Sequence, residues 1–204
     1  MKKTIAVLPG DGVGPEVIEQ AVKVLKTIAQ KFQHQFIFDY GFIGKNAIDK
    51  IGNPLPDETL SLCKKSDAIL LGAIGDPKYD LDPGAKIRPE QGLLKLRRLL
   101  NLFANIRPVK VYKELINISP LKVEKVDNVD IVVVRELTGG IYFGQHRRKN
   151  NGNTAIDTSI YNKKEIVRIC KIAFELALTR NKKVISVDKA NVLETSRLLC
   201  QFSL

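Results

Sequence analysis

Apolar residues alternate between short runs and helical spacing along the first third of the chain. The runs at 4–8, 34–39 and 67–72 predict strands, and a helix capped by Asp57 is predicted to Lys65. Between the first two runs, apolar residues recur at helical spacing and predict one buried helix face: Ile18, Ala21, Val22, Leu25, Ile28, Ala29 and Phe32. Strands that alternate with helices predict an α/β fold with a mainly parallel sheet.

The same signals continue to the end of the chain. They predict helices at 92–102 and 163–179, a last helix from about Asn191, and strands at 103–112, 129–134 and 183–187. The β-branched run at 129–134 predicts a buried strand. A turn at 138–140 follows it, and residues 141–143 are predicted to be extended. Two polar connections rich in glycine and proline remain, at 41–56 and at 75–90. Long loops such as the second are usually functional or disordered.

A glycine loop follows the first predicted strand. Its spacing is G-x-G-x-G at Gly10, Gly12 and Gly14, whereas dinucleotide-binding loops have G-x-G-x-x-G. Asp39 is the one acidic residue that ends a following strand. We therefore predict a structural turn that borders a cleft.

Composition narrows the classes of function. The formal net charge of +11 over 204 residues would suit nucleic acid, an anionic membrane or an acidic substrate. The lysines are scattered, however, and no basic stripe is interleaved with aromatic residues, so we expect no nucleic-acid partner. The apolar run from Ile5 is cut by Pro9-Gly10, and no other run approaches a membrane span, so we expect no membrane association. Three widely spaced cysteines without a CxxC fit a reducing cytoplasm.

Candidate chemistry lies near the ends of predicted elements. Arg97, Arg107 and Arg135 could bind carboxylates in bidentate fashion, although a solvated surface role fits each of them singly. Tyr142 follows Arg135 by seven residues. Lys189 comes just after the predicted strand at 183–187, where α/β folds place ligands.

Four motifs in one order resemble the β-decarboxylating dehydrogenases of the isocitrate/isopropylmalate family. They are LPGDGVGPE at 8–16, LR at 96–97 with FANIRP at 103–108, VRELTGGIYFG at 134–144 and VDKANV at 187–192. The resemblance implies a two-domain fold that this chain covers incompletely. It implies that residues 1–98 form the N-terminal half of the first domain and that 99–204 form most of a second, dimerisation domain, with an arm hairpin near 141–158.

The resemblance also assigns roles to residues. Lys189 would be the base at the substrate's C2 hydroxyl, and Tyr142 would protonate the enolate. The residues expected to contact substrate are Arg97, Arg107, Arg135, Glu90, Leu93, Leu94 and Val192. Those expected to contact NAD are Asp76, Pro77, Lys78, Glu90 and Asn191. The aspartates that bind Mg2+ or Mn2+ in the family would lie beyond residue 204.

The activity implied is NAD-dependent oxidative decarboxylation of 3-isopropylmalate to 2-oxo-4-methylpentanoate, a step of leucine biosynthesis. A cytoplasmic homodimer is expected of the complete enzyme, and these 204 residues alone are expected to be inactive. Two alternatives stay open. One is a relative that acts on isocitrate, homoisocitrate or tartrate, and the other is a non-catalytic remnant or basic binding protein.

Overall fold

The structure, a computed structural model, describes residues 1–82, 84–189 and 191–201, without the side chains of residues 200 and 201. The chain divides into two compact units, which we call unit 1 (Met1–Leu100) and unit 2 (Asn101–Leu204). Within the described residues, no helix combines the length and apolar character needed to cross a membrane. The predicted end of the last helix, at 202–204, lies outside the described residues.

Unit 1 is built on a parallel three-stranded sheet. Its strands are β1 (Lys2–Gly10), β2 (Gln35–Tyr40) and β3 (Ala68–Ala73), in the order β2-β1-β3. Helix α1 (Gly14–Lys31) follows β1 and has proline in its first turn, where a missing N–H costs nothing. The predicted α/β fold with a parallel sheet is confirmed in this unit.

Both faces of β1 are buried, as expected for the central strand of a parallel sheet. Side chains alternate across a strand, so successive residues of β1 enter two different cores. One core packs against α1 and consists of Ile5, Val7, Ile18 and Val22. The other lies on the opposite face and consists of Ala6, Leu8, Ile43, Leu55, Cys63 and Leu96.

The described residues of unit 1 also form the helices α2 (Lys45–Ile51), α3 (Asp57–Lys65), α4 (Pro77–Asp80) and α5 (Pro89–Leu99). The prediction of a plain connection at 41–56 is wrong, because Gly44 and Gly52, both with φ near 75°, allow α2 to begin and end there. The prediction of Asp57 as a cap is also wrong. Pro56 is the capping residue and no side chain caps α3, so Asp57 lies in the first turn.

Unit 2 is assembled from antiparallel pairs and helices. Its elements are β4 (Ala104–Lys110), a 3-10 helix (Lys113–Ile118), α6 (Val123–Val126), β5 (Asp130–Glu136), β6 (His146–Lys149), a short 3-10 turn (Asn150–Gly152), β7 (Thr154–Asp157), α7 (Lys163–Leu178) and α8 (Glu194–Gln201). Strand β4 pairs with β5, and β6 pairs with β7 as a hairpin.

Three predictions in unit 2 are wrong. Residues 183–187 form no strand, because they pair with no described strand and their apolar side chains are exposed, Val187 by 91%. Residues 141–143 form a turn, since Gly140 adopts a φ of 75° and bridges to Ile160. Strand β5 is half-buried on one face and exposed on the other, which leaves Ile131 and Val133 in water.

Candidate active site

Two of the predicted arginines lie on the same face of the β4–β5 pair. Arg107 is directly opposite Val133, and Asn105 is directly opposite Arg135. Residues that lie opposite each other in an antiparallel pair point to the same face, so Arg107 shares a face with Val133. Val133 and Arg135 are two residues apart on one strand and also share that face. Arg107 and Arg135 are therefore diagonal neighbours. The Asn105 side chain lies beside them and accepts a hydrogen bond from Arg107 Nε (2.5 Å). This face therefore carries two adjacent guanidinium groups.

Tyr142 lies beside Arg135, as their spacing and the intervening turn allow. Arg135 Nη2 donates to the phenol oxygen (2.9 Å), and the guanidinium carbon lies 5.1 Å from the centre of the phenol ring. The Tyr142 side chain is 45% exposed, so the phenol remains accessible to a small molecule. A cationic site and a proton donor are thus adjacent in unit 2.

The turn between Arg135 and Tyr142 is fixed by the carboxylate of Glu136, whose side chain is only 7% exposed. This carboxylate accepts hydrogen bonds from the backbone N–H groups of Thr138 and Gly139 (both 2.7 Å) and from Thr138 Oγ1 (2.8 Å). Arg168 of α7 donates from Nη2 to Glu136 Oε1 (2.6 Å) and also to Thr138 Oγ1. The Arg168 guanidinium packs over the Phe103 ring at 4.5 Å.

Two opposing effects set the pKa of Glu136. Burial raises this pKa, because a desolvated carboxylate is costly. Hydrogen bonds from Gly139, the Thr138 hydroxyl, Arg168 and the Thr138 amide favour the charged form and prevail, so the pKa lies below its ordinary value. Glu136 is therefore an ionised anchor for the turn at neutral pH.

Both glycines of this turn lie close to neighbouring side chains. A Cβ on Gly140, which has a φ of 75°, would lie 2.4 Å from the hydroxyl oxygen of Tyr161. A Cβ on Gly139 would lie 2.8 Å from Glu165 Oε2. Glu165 itself forms a capping box with Asn162 at the start of α7. The turn thus fits tightly against the N-terminal end of α7.

In unit 1, four of the predicted substrate residues lie along one side of α5. They are Glu90, Leu93, Leu94 and Arg97, which follow the i, i+3, i+4, i+7 spacing of a single helix face. Glu90 is exposed, whereas the two leucines and the arginine are half-buried. The opposite side of α5 enters the core of unit 1 through Leu96. One face of α5 therefore presents two leucine side chains between a carboxylate and a guanidinium group.

Three predicted NAD residues, Asp76, Pro77 and Lys78, lie at the start of α4. Asp76 caps the helix by accepting from the Lys78 N–H (2.9 Å), and this hydrogen bond, aided by the cation of Lys45 (3.5 Å), lowers the pKa of Asp76. A Cβ on the preceding Gly75 would lie 2.9 Å from Glu90 Oε1. The structure therefore brings Glu90 close to this segment.

The remaining predicted residues lie near the end of the chain. Lys189, Asn191 and Val192 are exposed and precede α8, and the Lys189 carbonyl accepts from the Val192 N–H (3.1 Å). Within residues 1–82, 84–189 and 191–201, no hydrogen bond or ion pair joins Lys189 to the Arg135–Tyr142 pair. The described contacts therefore join Arg135 and Tyr142 but not Lys189.

Potential metal ligands are not clustered in the described part of the chain. It contains no group of three or more His, Cys, Asp or Glu side chains that could hold a metal ion. The residues present do not fit a metal centre by themselves. For NAD the donor set is more suitable, because the segment at 76–78 and Glu90 combine carboxylates, an ammonium group and backbone amides in one place.

The roles of Glu136 and Arg168 were not predicted from the sequence. Alternation along β5 places Glu136 on the same face as Val132 and Val134, which is a signal for a buried acid. Its partner was not foreseeable, because Arg168 is 32 residues away and lies among the apolar residues of α7. Asp11, in the first glycine loop, was not predicted either, although its buried carboxylate accepts from the backbone N–H groups of Lys45, Asn46 and Gly75.

Comparisons with known proteins match nearly the whole chain. The sequence profile of the isocitrate/isopropylmalate dehydrogenase family matches residues 4–203. The 3-isopropylmalate dehydrogenase of Bacillus subtilis is 56% identical over 97% of the chain, and that of Bacillus caldotenax is 58% identical over 95%. The chain spans 55% and 53% of the lengths of these two relatives.

The chain is also similar to solved structures of dehydrogenases. An isocitrate dehydrogenase from Methylococcus capsulatus is 30% identical with a TM-score of 0.81, over 98% of this chain and 56% of that one. A β-decarboxylating dehydrogenase from Thermococcus kodakarensis is 32% identical with a TM-score of 0.69, over 98% and 53% of the two chains. The chain belongs to the isocitrate/isopropylmalate dehydrogenase family.

Proposed function

We propose that the full-length product of this gene catalyses the NAD-dependent oxidative decarboxylation of 3-isopropylmalate to 2-oxo-4-methylpentanoate in leucine biosynthesis. The observation that carries the proposal is an identity of 51–58% to relatives named 3-isopropylmalate dehydrogenase, over at least 95% of the chain. Because the chain spans about half the length of these relatives, the activity is assigned to the full-length gene product. A cytoplasmic homodimer is part of the proposal.

The substrate has two carboxylates and a branched apolar group. Arg107 and Arg135, adjacent on β4–β5, would bind the carboxylates together with Arg97 of α5, since guanidinium groups suit bidentate carboxylate recognition. Leu93 and Leu94 would contact the isopropyl group. Glu90 would contact both substrate and cofactor, and Val192 would complete the apolar wall from a partner subunit.

Two proton transfers accompany the bond changes. Lys189 would accept the proton of the C2 hydroxyl while the C2 hydride leaves and the C2 carbonyl forms. Residues 76–78, Glu90 and Asn191 would hold NAD, whose chemistry would be that of a hydride acceptor. The bond to the carboxylate on C3 then breaks, CO2 departs, and the Tyr142 phenol would protonate C3 of the resulting enolate. Mg2+ or Mn2+ is expected as a further cofactor, on ligands that the resemblance places beyond residue 204.

The division of roles between Lys189 and Tyr142 tests the proposal. In the full-length gene product, Lys189→Met and Tyr142→Phe should each lower kcat by ~10²–10⁴-fold, because each removes a general acid or base. The oxidised 2-keto intermediate should still be converted readily to the decarboxylated, C3-protonated product by the Lys189 variant, but only slowly by the Tyr142 variant. Matched controls are Lys183→Met and Tyr112→Phe, both at exposed positions without a proposed role. Equal impairment of both steps in both variants would refute the assignment.

The similarity in structure to an isocitrate dehydrogenase supports one alternative substrate, a tricarboxylate. The Leu93–Leu94 pair opposes it, because a third carboxylate would meet two apolar side chains. Leu93→Ser combined with Leu94→Asn should cost about 1–3 kcal/mol of transition-state binding for isopropylmalate. Leu99→Ser, at an exposed position on the other side of α5, is the control. An unchanged kcat/KM for isopropylmalate in the double variant would reject the pocket assignment.

A further inference from the structure

The first glycine loop holds a buried carboxylate that the proposed chemistry does not use. Asp11 follows β1 and is only 3% exposed. Across the described residues no Lys, Arg or His side chain forms an ion pair with it. A buried carboxylate without a cation needs several hydrogen-bond donors, because its desolvation is costly. The donors of Asp11 indicate what the residue does.

Three backbone amides from two distant segments converge on this carboxylate. Oδ2 accepts from the N–H groups of Lys45 (2.9 Å) and Gly75 (3.1 Å), and Oδ1 accepts from that of Asn46 (3.0 Å). Lys45 and Asn46 begin α2, whereas Gly75 directly precedes Asp76. Hydrogen bonds to an ionised acceptor are stronger than neutral ones. Asp11 therefore ties the loop after β3 to the start of α2.

Close backbone packing keeps this arrangement in place. The Asp11 N–H donates to the carbonyl of Ala73 (2.7 Å), so the residue is bonded to the 73–75 segment through both its backbone and its side chain. A Cβ on Gly44 would lie 2.3 Å from Asp11 Oδ2, and Gly44 has a φ of 75°. A side chain at position 44 would thus displace the carboxylate.

A second connection reaches the same segment through Lys45. Its backbone N–H is bonded to Asp11, while its Nζ lies 3.5 Å from Oδ2 of Asp76. Asp76 in turn caps α4 by accepting from Lys78. Gly75 and Asp76 are therefore held by two successive contacts, one of which is made directly by Asp11.

From these contacts we infer that Asp11 is a positioning residue for NAD, which acts through Gly75 and Lys45 by fixing the segment at 76–78. This inference rests on the proposed function, because it takes residues 76–78 to contact the cofactor. Asp11 itself need not touch NAD. The expected consequence is selective, in that loss of the carboxylate weakens NAD binding and leaves substrate binding by the arginines largely unchanged.

Two variants of the full-length gene product separate positioning from general stability. Asp11→Ala removes all three acceptor contacts and should raise KM for NAD on the order of 10-fold, with less than about a twofold change in KM for isopropylmalate. Asp11→Asn retains one side-chain oxygen. This oxygen should take the place of Oδ2 and accept from the N–H groups of Lys45 and Gly75, so that the N–H of Asn46 faces the new NH2 group. The effect of Asp11→Asn on KM for NAD should be smaller than that of Asp11→Ala.

Amide hydrogen exchange gives a readout that does not depend on activity. Asp11→Asn should speed exchange at Asn46 and preserve protection at Gly75, whereas Asp11→Ala should speed both. Asp67→Ala is the matched control, because Asp67 likewise accepts from a backbone amide, that of Thr4, and from Lys3 Nζ. That control should leave exchange at Asn46 and Gly75 and the KM for NAD unchanged.

The outcomes distinguish the two proposals. If the wild-type protein does not reduce NAD with isopropylmalate, the proposed function fails, and the exchange pattern still decides whether Asp11 fixes the loop. Equal increases in both KM values, or unchanged exchange at Gly75 in Asp11→Ala, would overturn the positioning role. If Asp11→Ala does not fold, the exchange pattern of Asp11→Asn tests the positioning role instead. Faster exchange at Asn46 with preserved protection at Gly75 is expected only if the two carboxylate oxygens are bonded as described.

Discussion

Unit 1 and unit 2 fix their candidate functional segments in different ways. Unit 1 has two apolar cores on either side of β1. In the described part of unit 2, the buried apolar residues are Val126, Leu137 and Ile166, and one face of β4–β5 leaves apolar side chains in water. Apolar burial is the dominant favourable contribution to folding, so unit 2 has less of it for its size.

The buried carboxylates of Asp11 in unit 1 and Glu136 in unit 2 differ in the partners that hold them. Asp11 and Glu136 both accept backbone amides from glycine-containing segments, but Glu136 also pairs with Arg168, which is 28% exposed. In unit 1 the loop at 75–78 adjoins a densely packed core, and backbone donors are sufficient. In unit 2 an ion pair and a hydroxyl hold the turn at 138–140. We therefore expect unit 2 to respond more strongly to changes in charge, and unit 1 to changes in packing.

The largest expected effect tests the packing side of this comparison. Leu8→Ala, at a fully buried position, should lower the free energy of unfolding of unit 1 by about 2–5 kcal/mol, because it removes apolar contacts and leaves a cavity. Leu137→Ala should cost unit 2 less, since its thinner surroundings can relax. Hydrogen exchange under native conditions would report each unit separately. An equal loss in both units would show that unit 2 is as well packed as unit 1.

The fold of unit 1 was largely predictable from sequence, because its strands and helices carry strong apolar patterns. The end of helix α3 was predicted correctly and its start within one residue, and the three strands were predicted within two residues at each end. The predictions failed where pairing decides the structure. Residues 183–187 have the composition of a strand, but a strand requires a partner, and no described strand provides one.

The candidate site was predictable in part, for a similar reason. Arg135 and Tyr142 come together across a short turn, so local sequence was sufficient. The contact between Glu136 and Arg168 joins positions 32 residues apart, and the contact between Asp11 and Gly75 joins positions 64 apart. Local patterns contain no information on such contacts, which depend on how the elements pack.

The next effect in size tests the charge side of the comparison. Arg168→Met keeps much of the apolar volume but leaves Glu136 without its cation, so unit 2 should lose about 1–3 kcal/mol of unfolding free energy. Its control is Arg180→Met, which breaks an ion pair of similar length with Asp130 (2.7 Å against 2.6 Å) that is far more exposed. Exposed pairs contribute little, so the control should have the smaller effect.

A second readout connects Arg168 to the site. In the full-length gene product, Arg168→Met should reduce kcat as well as stability, because the turn that sets Tyr142 beside Arg135 loses one of its contacts. Arg180→Met should leave kcat unchanged. The comparison between the units would fail if both variants destabilised unit 2 equally, since burial would then have no influence on the strength of the pair.

The smallest expected effect is the dependence of unit 2 on pH. The pKa of Glu136 is lower in the folded protein than its ordinary value of 4.5, so unfolding raises its affinity for a proton. Its contribution to stability is therefore fully present above pH 4.5 and is lost as the pH falls through the lower pKa of the folded state. Glu136→Gln should make unit 2 less stable at neutral pH and flatten its stability between pH 4.5 and that lower pKa.

High ionic strength distinguishes the contribution of the buried Glu136 to stability from that of exposed ion pairs. The pKa of Asp130 is also lowered, chiefly by its hydrogen bond with Arg180, but this pair is exposed and should be screened. Hydrogen exchange of unit 2 at several pH values, at low and at high ionic strength, is the measurement. In high salt the acid loss of stability should persist in Asp130→Asn and be reduced in Glu136→Gln. Parallel pH profiles for wild type and Glu136→Gln would show instead that the buried pair is not what makes unit 2 sensitive to charge.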